Sequence, residues 1–449
     1  MQEDKNPTEK PGVYVHTFGC QMNVHDSQKI LTLLSEKGYQ AVETPEEAKV
    51  ILLNTCSVRE KPEQKVLSAV GRYRELKDQN PDLIIGVGGC FARQEGEDLL
   101  RRAPALDLVF GPDNIPELPK MLQTIREEHQ PQVETDFDTP TDVRFLDIAP
   151  QVLDSKFSAM VTIMKGCDKY CSFCIVPYVR GRERYRDPAE IQEEVRRMCT
   201  QGVREIMLLG QSVTSYKWKE GADVWDLARL IRSLDGVEGL KRLRFTSPYP
   251  RDFHQELIDC FAEVPILCNH VHLPFQSGSD RILYRMNRRH TRDQYFGWVD
   301  ALRARCPSIA ITADVIVGFP GEEEQDFEQT MDLVERVRFD NLFAYKYSPR
   351  PKTPAARNTQ QVSEEDKQRR LAILLERQLE ISLERHQALN GQTLEVLVEG
   401  SSRRNADRLS GRTTTNKIVN FVGPDSLIGE IVPVRIAEAH ATALWGELL

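Results

Sequence analysis

At 449 residues, with 40% hydrophobic and 28% charged residues, the chain is too long for one compact core and fits two to three domains. No run of about 18 apolar residues occurs, and the polar start MQEDKNPTEKPG lacks the apolar stretch of a secretion signal, so a cytoplasmic protein without membrane contact is expected. A formal net charge of -9 argues against a general nucleic-acid binder and leaves room only for local basic patches.

Along the chain, Val13–Phe18, Val50–Asn54 and Leu83–Val87 read as strands, separated by amphipathic stretches around Ile30–Leu34 and Val66–Leu76. Such alternation predicts βαβ units and an open parallel sheet. Residues 128–155, rich in Pro, Thr and acidic residues, read as a linker. Six strand candidates follow, Met160–Met164, Glu205–Leu209, Arg242–Thr246, Leu267–His272, Ile311–Val317 and Leu342–Tyr347, with helical stretches between them. Their repetition predicts a partial (β/α) barrel of six units. After an extended exit from Tyr347, Ser363 to Asp366 reads as a capping box that opens a helix with Leu371, Leu375, Leu379 and Leu383 as its apolar positions, ending near Gly391. From Thr393 the runs Leu394–Val398, Ile418–Phe421 and Ile431–Ile436 predict a small β-barrel of about 60 residues.

Ten cysteines in a reducing compartment do not form a disulfide framework, so their spacing is read as ligands, nucleophiles or core residues. Cys167, Cys171 and Cys174 place three thiols within eight residues, directly after a buried-looking strand. Thiolates hold iron–sulfur clusters, usually four to a [4Fe–4S] cube, so three leave one iron with an open position. An open iron can chelate the amino and carboxylate groups of a methionine moiety. A zinc site is the alternative, and it requires a fourth Cys or His; His16, His25 and His270 are available but not at zinc-finger spacing. Cys20, Cys56 and Cys90 each closely follow a strand of the first segment. A lone cysteine there is usually a small core residue, but ligands gather beyond the carboxyl ends of parallel strands, so these three are expected to converge. Cys199, Cys260, Cys268 and Cys306 sit in apolar contexts and read as core.

The motif over 167–174 resembles that of the radical S-adenosylmethionine superfamily, and Lys165–Arg184 (KGCDKYCSFCIVPYVRGRER) is similar to the catalytic loop of its methylthiotransferases. From Pro11 to Leu449 the sequence is similar to its methylthiotransferases: Thr17–Asn23 (TFGCQMN), Asn54–Arg59 (NTCSVR) and Gly88–Cys90 match their three-cysteine domain. His272–Ser279 (HLPFQSGS) and Asp314–Gly321 (DVIVGFPG) match their barrel strands, and Gly411–Lys417 (GRTTTNK) resembles a TRAM domain. The resemblance implies an α/β chain in three parts: an open parallel α/β domain over 11–127 that carries an auxiliary cluster, a partial (β/α)6 radical core over 153–384, and a small antiparallel TRAM β-barrel over 387–449. Gly-Cys-Gln-Met-Asn around Cys20 is similar to the tRNA-modifying, MiaB-type branch, which makes 2-methylthio-N(6)-dimethylallyladenosine beside the anticodon. The branch that modifies an aspartate of a ribosomal protein typically has Gly-Cys-Pro-Lys-Asn. Gln211–Tyr216 (QSVTSY) departs from the family's usual Gln-Asn-Val-Asn-Ala-Tyr.

What the resemblance implies is a chain with two [4Fe–4S] clusters, held by Cys20, Cys56 and Cys90 and by Cys167, Cys171 and Cys174. Two molecules of S-adenosylmethionine are used, one as methyl donor and one as source of a 5′-deoxyadenosyl radical. General acid–base chemistry offers little for the inert C2–H bond of adenine, so a cofactor must carry the step. By position at strand ends, Gln211, Ser247, Gln276 and Asp314 are candidates for S-adenosylmethionine contacts, each with a strand-capping alternative. Phe173 is a candidate to flank its adenine or to shield the cluster. Arg180, Arg182, Arg184 and Arg186 alternate after the loop, and Arg403, Arg404, Arg408, Arg412 and Lys417 concentrate on the terminal barrel. Both stretches are read as RNA-contact candidates, with an ordinary solvated face as the alternative. The expected partners are tRNA bearing N(6)-dimethylallyladenosine, a flavodoxin- or ferredoxin-type reductant and a sulfur donor, and the expected state is a monomer.

Overall fold

The computed structural model describes residues 10–57, 60–137, 156–402 and 405–449. The chain divides into two compact units. The first holds residues up to Leu153 together with Lys165–Lys169 and Cys174–Arg184; the second holds Asp154–Met164, Tyr170–Phe173 and Tyr185–Leu449.

The first unit is built on a six-stranded sheet in the order β2-β1-β3-β4-β5-β6. Its strands are β1 (Gly12–Phe18), β2 (Gln40–Ala41), β3 (Val50–Thr55), β4 (Ile84–Gly89), β5 (Leu108–Phe110) and β6 (Gln132–Glu134). All five pairings are parallel. Burial on both faces explains the continuous apolar runs of β3 and β4: Ile51, Leu53, Ile85 and Val87 pack on one side with Val66, Ala69 and Val70. Val50, Leu52, Ile84 and Leu108 pack on the other with Ile30, Leu34 and Leu122. Each such buried Val, Leu or Ile side chain contributes about 1.5–3 kcal/mol. Within the expected linker, residues 132–134 form the edge strand β6; residues 138–155 lie outside the described residues.

In the second unit, β7 (Ser158–Thr162), β8 (Glu205–Leu209) and β9 (Arg242–Phe245) form one parallel sheet, and β10 (His270–His272), β11 (Ala310–Val317) and β12 (Asn341–Lys346) another. A parallel bridge between Leu243 and Leu267 joins them, giving the expected six-unit partial barrel. An unexpected hairpin, Lys217–Glu220 with Asp223–Asp226, follows β8.

The helix Glu364–Gln387 starts at the expected cap, where Asp366 N donates to Ser363 Oγ at 3.0 Å. Its buried face is not the expected one. Leu374, Gln378, Ile381, Ser382 and His386 are buried, whereas Leu375 and Leu379 are 44% and 55% exposed. The chain closes with a five-stranded barrel of β13 (Thr393–Ser402), β14 (Asn405–Thr413), β15 (Ile418–Val422), β16 (Ile431–Ala439) and β17 (Leu444–Leu448). It is antiparallel except between β15 and β17, which pair in parallel. Arginines of β9 fasten it to the six-unit partial barrel. Arg242 donates to Arg412 O at 2.6 Å and Arg244 to Thr413 O at 2.7 Å. Lys417 Nζ meets Asp340 Oδ1 at 2.6 Å. No helix among the described residues is long and apolar enough to cross a membrane.

Candidate functional site

The register of the first sheet sets Phe18, Thr55 and Gly89 side by side, and the three cysteines lie just past this row. Cys20 caps the helix Gln21–Glu36, Cys56 N donates to Phe18 O at 2.9 Å, and Cys90 opens the helix Cys90–Glu95. Gly89 has φ +90, and a Cβ there would meet Asn54 Oδ1 at 2.4 Å, so only glycine lets β4 turn into Cys90 at this place. Asn23 and Asn54 tie the turns together. Cys20 Sγ donates to Asn23 Oδ1 at 3.3 Å, Asn23 Nδ2 to Asn54 Oδ1 at 3.2 Å, and Asn54 Nδ2 to Asn23 O at 2.8 Å and Ser27 Oγ at 3.0 Å. A hydrogen bond from Cys56 is the largest influence on the Cys20 thiol and holds it well below its usual range; burial opposes this and the charge of Arg180 supports it. Cys90 is fully buried, and that burial pushes its thiol up against the pull of Arg180.

Arg180 was expected on an RNA-facing stripe, and the structure corrects this. It is 2% exposed, its Nη2 donates to Asp26 Oδ2 at 2.7 Å and its Nε to Cys90 Sγ at 3.1 Å. Its neighbours Ile175 and Val179 pack on Cys90, so the segment after the radical loop walls the three-cysteine pocket. Arg184 also points inward, donating to Asp113 Oδ2 at 2.7 Å with its side chain almost wholly buried. Lys165 pairs with the same carboxylate. Burial brings Lys165 down to about 8 against the attraction of Asp113; burial pushes Asp113 up, but Lys165 and Arg184 outweigh it and hold the carboxyl below its usual range. Arg186 is buried against Glu194. Alternation along the chain had suggested one shared exposed face; only Arg182 is exposed, in a two-pronged pair with Asp168 at 2.9 and 3.2 Å.

In the radical loop, Gly166 has φ +82 and its missing Cβ would fall 1.9 Å from Arg182 O, so glycine is what lets Cys167 N reach Gly181 O at 3.1 Å. These residues and the partly exposed Cys174 belong to the first unit. In the second unit Cys171 is buried, with Arg288 Nη1 3.8 Å from its sulfur. Ser172 is pinned to the end of the helix Asp280–Arg285: its N donates to Met286 O at 2.9 Å and its Oγ to Arg285 O at 2.7 Å. Phe173 packs on Ile282, Met286, Phe319, Tyr347 and Ala355.

At the barrel ends, Gln211 and Ser247 lie two residues past β8 and β9. Ser247 (φ +57) and Gln276 (φ +68) both hold the left-handed backbone, a strained state for such residues that clusters at functional sites. Ser247 O accepts from Val213 N at 3.3 Å, and Gln276 N donates to Asp314 O at 3.0 Å. Asp314 Oδ2 lies 3.1 Å from His272 Nε2. On the terminal barrel Arg408 lies 4.1 Å over the Trp445 ring and Arg412 pairs with Glu399 at 2.9 Å. Lys417 is 8% exposed and engaged with Asp340, which removes it from the expected RNA face. Arg403 and Arg404 lie outside the described residues.

Residues 12–111 match the Uncharacterized protein family UPF0004, 161–334 the Radical SAM superfamily and 387–449 the TRAM domain. A tRNA-2-methylthio-N(6)-dimethylallyladenosine synthase of Syntrophus aciditrophicus is 47% identical over 441 residues, covering 98% of this chain and 95% of the relative. One from Syntrophotalea carbinolica is 48% identical over 437 residues, covering 97% and 99%. The chain belongs to the radical S-adenosylmethionine methylthiotransferases. A radical S-adenosylmethionine methyltransferase of Kitasatospora setae shares the fold, with a TM-score of 0.56 at 14% identity over 78% of this chain and 75% of that one. Membership makes the chain an enzyme that works with a [4Fe–4S] cluster and S-adenosylmethionine. The three-cysteine pocket also suits such a group. Among the described residues no three His, Cys, Asp or Glu close on a single point as ligands of one ion would. The pocket supplies the donor type such a group takes, three cysteine thiols, with Cys20 and Cys56 within hydrogen-bond reach of each other and Cys90 beside the Arg180 guanidinium.

Proposed function

We propose that the chain transfers a methylthio group to C2 of N(6)-dimethylallyladenosine beside the tRNA anticodon, using one S-adenosylmethionine as methyl donor and a second as radical source. The observation that carries this reading is the gathering of Cys20, Cys56 and Cys90 past one row of the first sheet. Hydrogen abstraction alone needs only the loop of Cys167, Cys171 and Cys174; a second open thiol triad adds a place to hold sulfur. The substrate follows from the names of relatives that match almost from end to end.

In this reading residues 11–127 form the auxiliary domain, 153–384 the radical core and 387–449 the RNA-binding barrel. Cys167, Cys171 and Cys174 hold the first cluster and Cys20, Cys56 and Cys90 the second. When bound, the first group would pass on the electron that splits the sulfonium and the second would carry the sulfur that is inserted. Asn23 and Asn54 fix the Cys20 turn, and Asp113 fixes both flanks of the radical loop through Lys165 and Arg184. Gln211, Ser247, Gln276 and Asp314 orient S-adenosylmethionine, and Phe173 shields the loop from water. Arg182, Arg408 and Arg412 take RNA phosphates. A flavodoxin- or ferredoxin-type protein provides the electron, and a separate donor provides the sulfur.

The test is anaerobic reconstitution with iron and sulfide, then incubation with S-adenosylmethionine, dithionite and, side by side, tRNA bearing N(6)-dimethylallyladenosine or ribosomal protein. Mass spectrometry of the nucleosides should show the 2-methylthio product. Absence of that product, with methylthio-aspartate formed on ribosomal protein instead, overturns the substrate assignment.

A further inference from the structure

Arg180 is a buried charge that three cysteines alone do not call for. Arginine stays protonated in proteins, and a buried ion is tolerated only when paired and hydrogen-bonded. Asp26 supplies the pairing through Nη2 at 2.7 Å, and Nε is spent on the sulfur of Cys90 at 3.1 Å. Nη1 is buried with no hydrogen-bond partner among the described residues. One nitrogen of a fork held on both other arms is thus a donor without a protein acceptor, next to a cysteine of the triad. Ile175 and Val179, from the same segment, line Cys90 with apolar surface and keep the surroundings poor in water, where a fixed charge acts strongly.

We propose that Arg180 is the fixed cation of the auxiliary site: anchored by Asp26, it donates to the Cys90 sulfur and, through Nη1, to the group that Cys20, Cys56 and Cys90 hold, favouring that group's reduced, more negative state. This rests on the reading that those cysteines hold a cluster. Cluster potential follows net charge, hydrogen bonds to sulfur and solvent exposure, and Arg180 acts on the first two. It is a positioning and tuning residue that follows Cys174 by six positions, so the stretch leaving the radical loop also finishes the sulfur-holding site.

The test uses the full chain with Cys167, Cys171 and Cys174 all changed to Ala, reconstituted anaerobically with iron and sulfide and titrated with dithionite under electron paramagnetic resonance. Iron content reports assembly and the midpoint potential reports the charge. Arg180→Gln should shift the potential down and Asp26→Asn, which leaves the guanidinium uncompensated, should shift it up. A purely structural role would not move the two in opposite directions. Unchanged potentials, or shifts of the same sign, overturn the proposal. If Arg180→Gln fails to load iron, Asp26→Asn decides: an upward shift supports the proposal, and no shift or a downward one overturns it. A parent protein that binds no iron at the remaining cysteines overturns the two-cluster reading itself.

Discussion

Asp340 joins the terminal barrel to the radical core, and its removal has a calculable cost. Its carboxylate faces Lys417 Nζ at 2.6 Å and Arg385 Nε at 3.0 Å, and accepts from Ile311 N at 3.0 Å. Asp340→Ala strands the buried Lys417 ammonium and a strand N–H. Breaking one side of a buried pair costs about 3–5 kcal/mol, and an unsatisfied N–H about 1–3 kcal/mol. Because the two overlap, about 3–5 kcal/mol is expected in urea unfolding of the apoprotein. Asp340→Asn keeps an acceptor for Ile311 and should cost less. Adding Lys417→Met to Asp340→Ala should recover much of the loss, since the stranded charge is gone. The pH dependence has a definite sign. Burial pushes the Asp340 carboxyl up, but Lys417 and Arg385 outweigh it and hold it below its usual value. Its contribution is therefore present above the unfolded carboxyl pKa of about 3.9 and is lost as pH falls through the folded value. A loss below about 1 kcal/mol for Asp340→Ala at neutral pH would refute the argument.

Cys20→Ala should abolish methylthio product in the tRNA assay while leaving cleavage of S-adenosylmethionine to 5′-deoxyadenosine detectable; retained methylthiolation would remove Cys20 from the sulfur-holding role. Asp113→Ala removes the buried carboxylate that Lys165 and Arg184 share and should lower stability by about 3–5 kcal/mol and reduce iron loading at the radical loop, read by calorimetry and iron analysis. Arg408→Ala should weaken tRNA binding and flatten its salt dependence by about one phosphate contact, whereas Lys417→Met should leave the salt slope unchanged. Leu374→Ala should cost about 2–5 kcal/mol, while Leu379→Gln, at an exposed position, should stay within about 0.5 kcal/mol.

That last contrast shows where sequence reading succeeds and fails. Leu371, Leu375, Leu379 and Leu383 are spaced by four, but so are the buried Leu374, Gln378, Ser382 and His386, so the period identifies the helix without saying which face meets the core. Leu374, Gln378 and Ile381 keep to one side and are buried. The cysteines were legible because each closely follows a strong apolar strand, and strand ends in a parallel sheet share one edge. The three-residue strands Leu108–Phe110 and Gln132–Glu134 are too short to show a period. Arg180 was misread because alternation reports which residues share a side but not what covers that side; its partners Asp26 and Cys90 are 154 and 90 residues away in sequence. The polar network of Asn23 and Asn54 had a signal, since both stand inside the quoted motifs, but their mutual bond spans 31 residues.

The assignment of Cys174–Arg184 to the first compact unit bears on how this enzyme can be taken apart. Its three-cysteine sheet is not a portable cassette ending where the linker begins, because Ile175, Val179 and Arg180 are part of it. A chimera that exchanges only the N-terminal domain between relatives inherits a foreign wall and a foreign counter-charge for Cys90. Transplanting residues 174–184 together with the donor's sheet is the exchange that keeps the pocket whole.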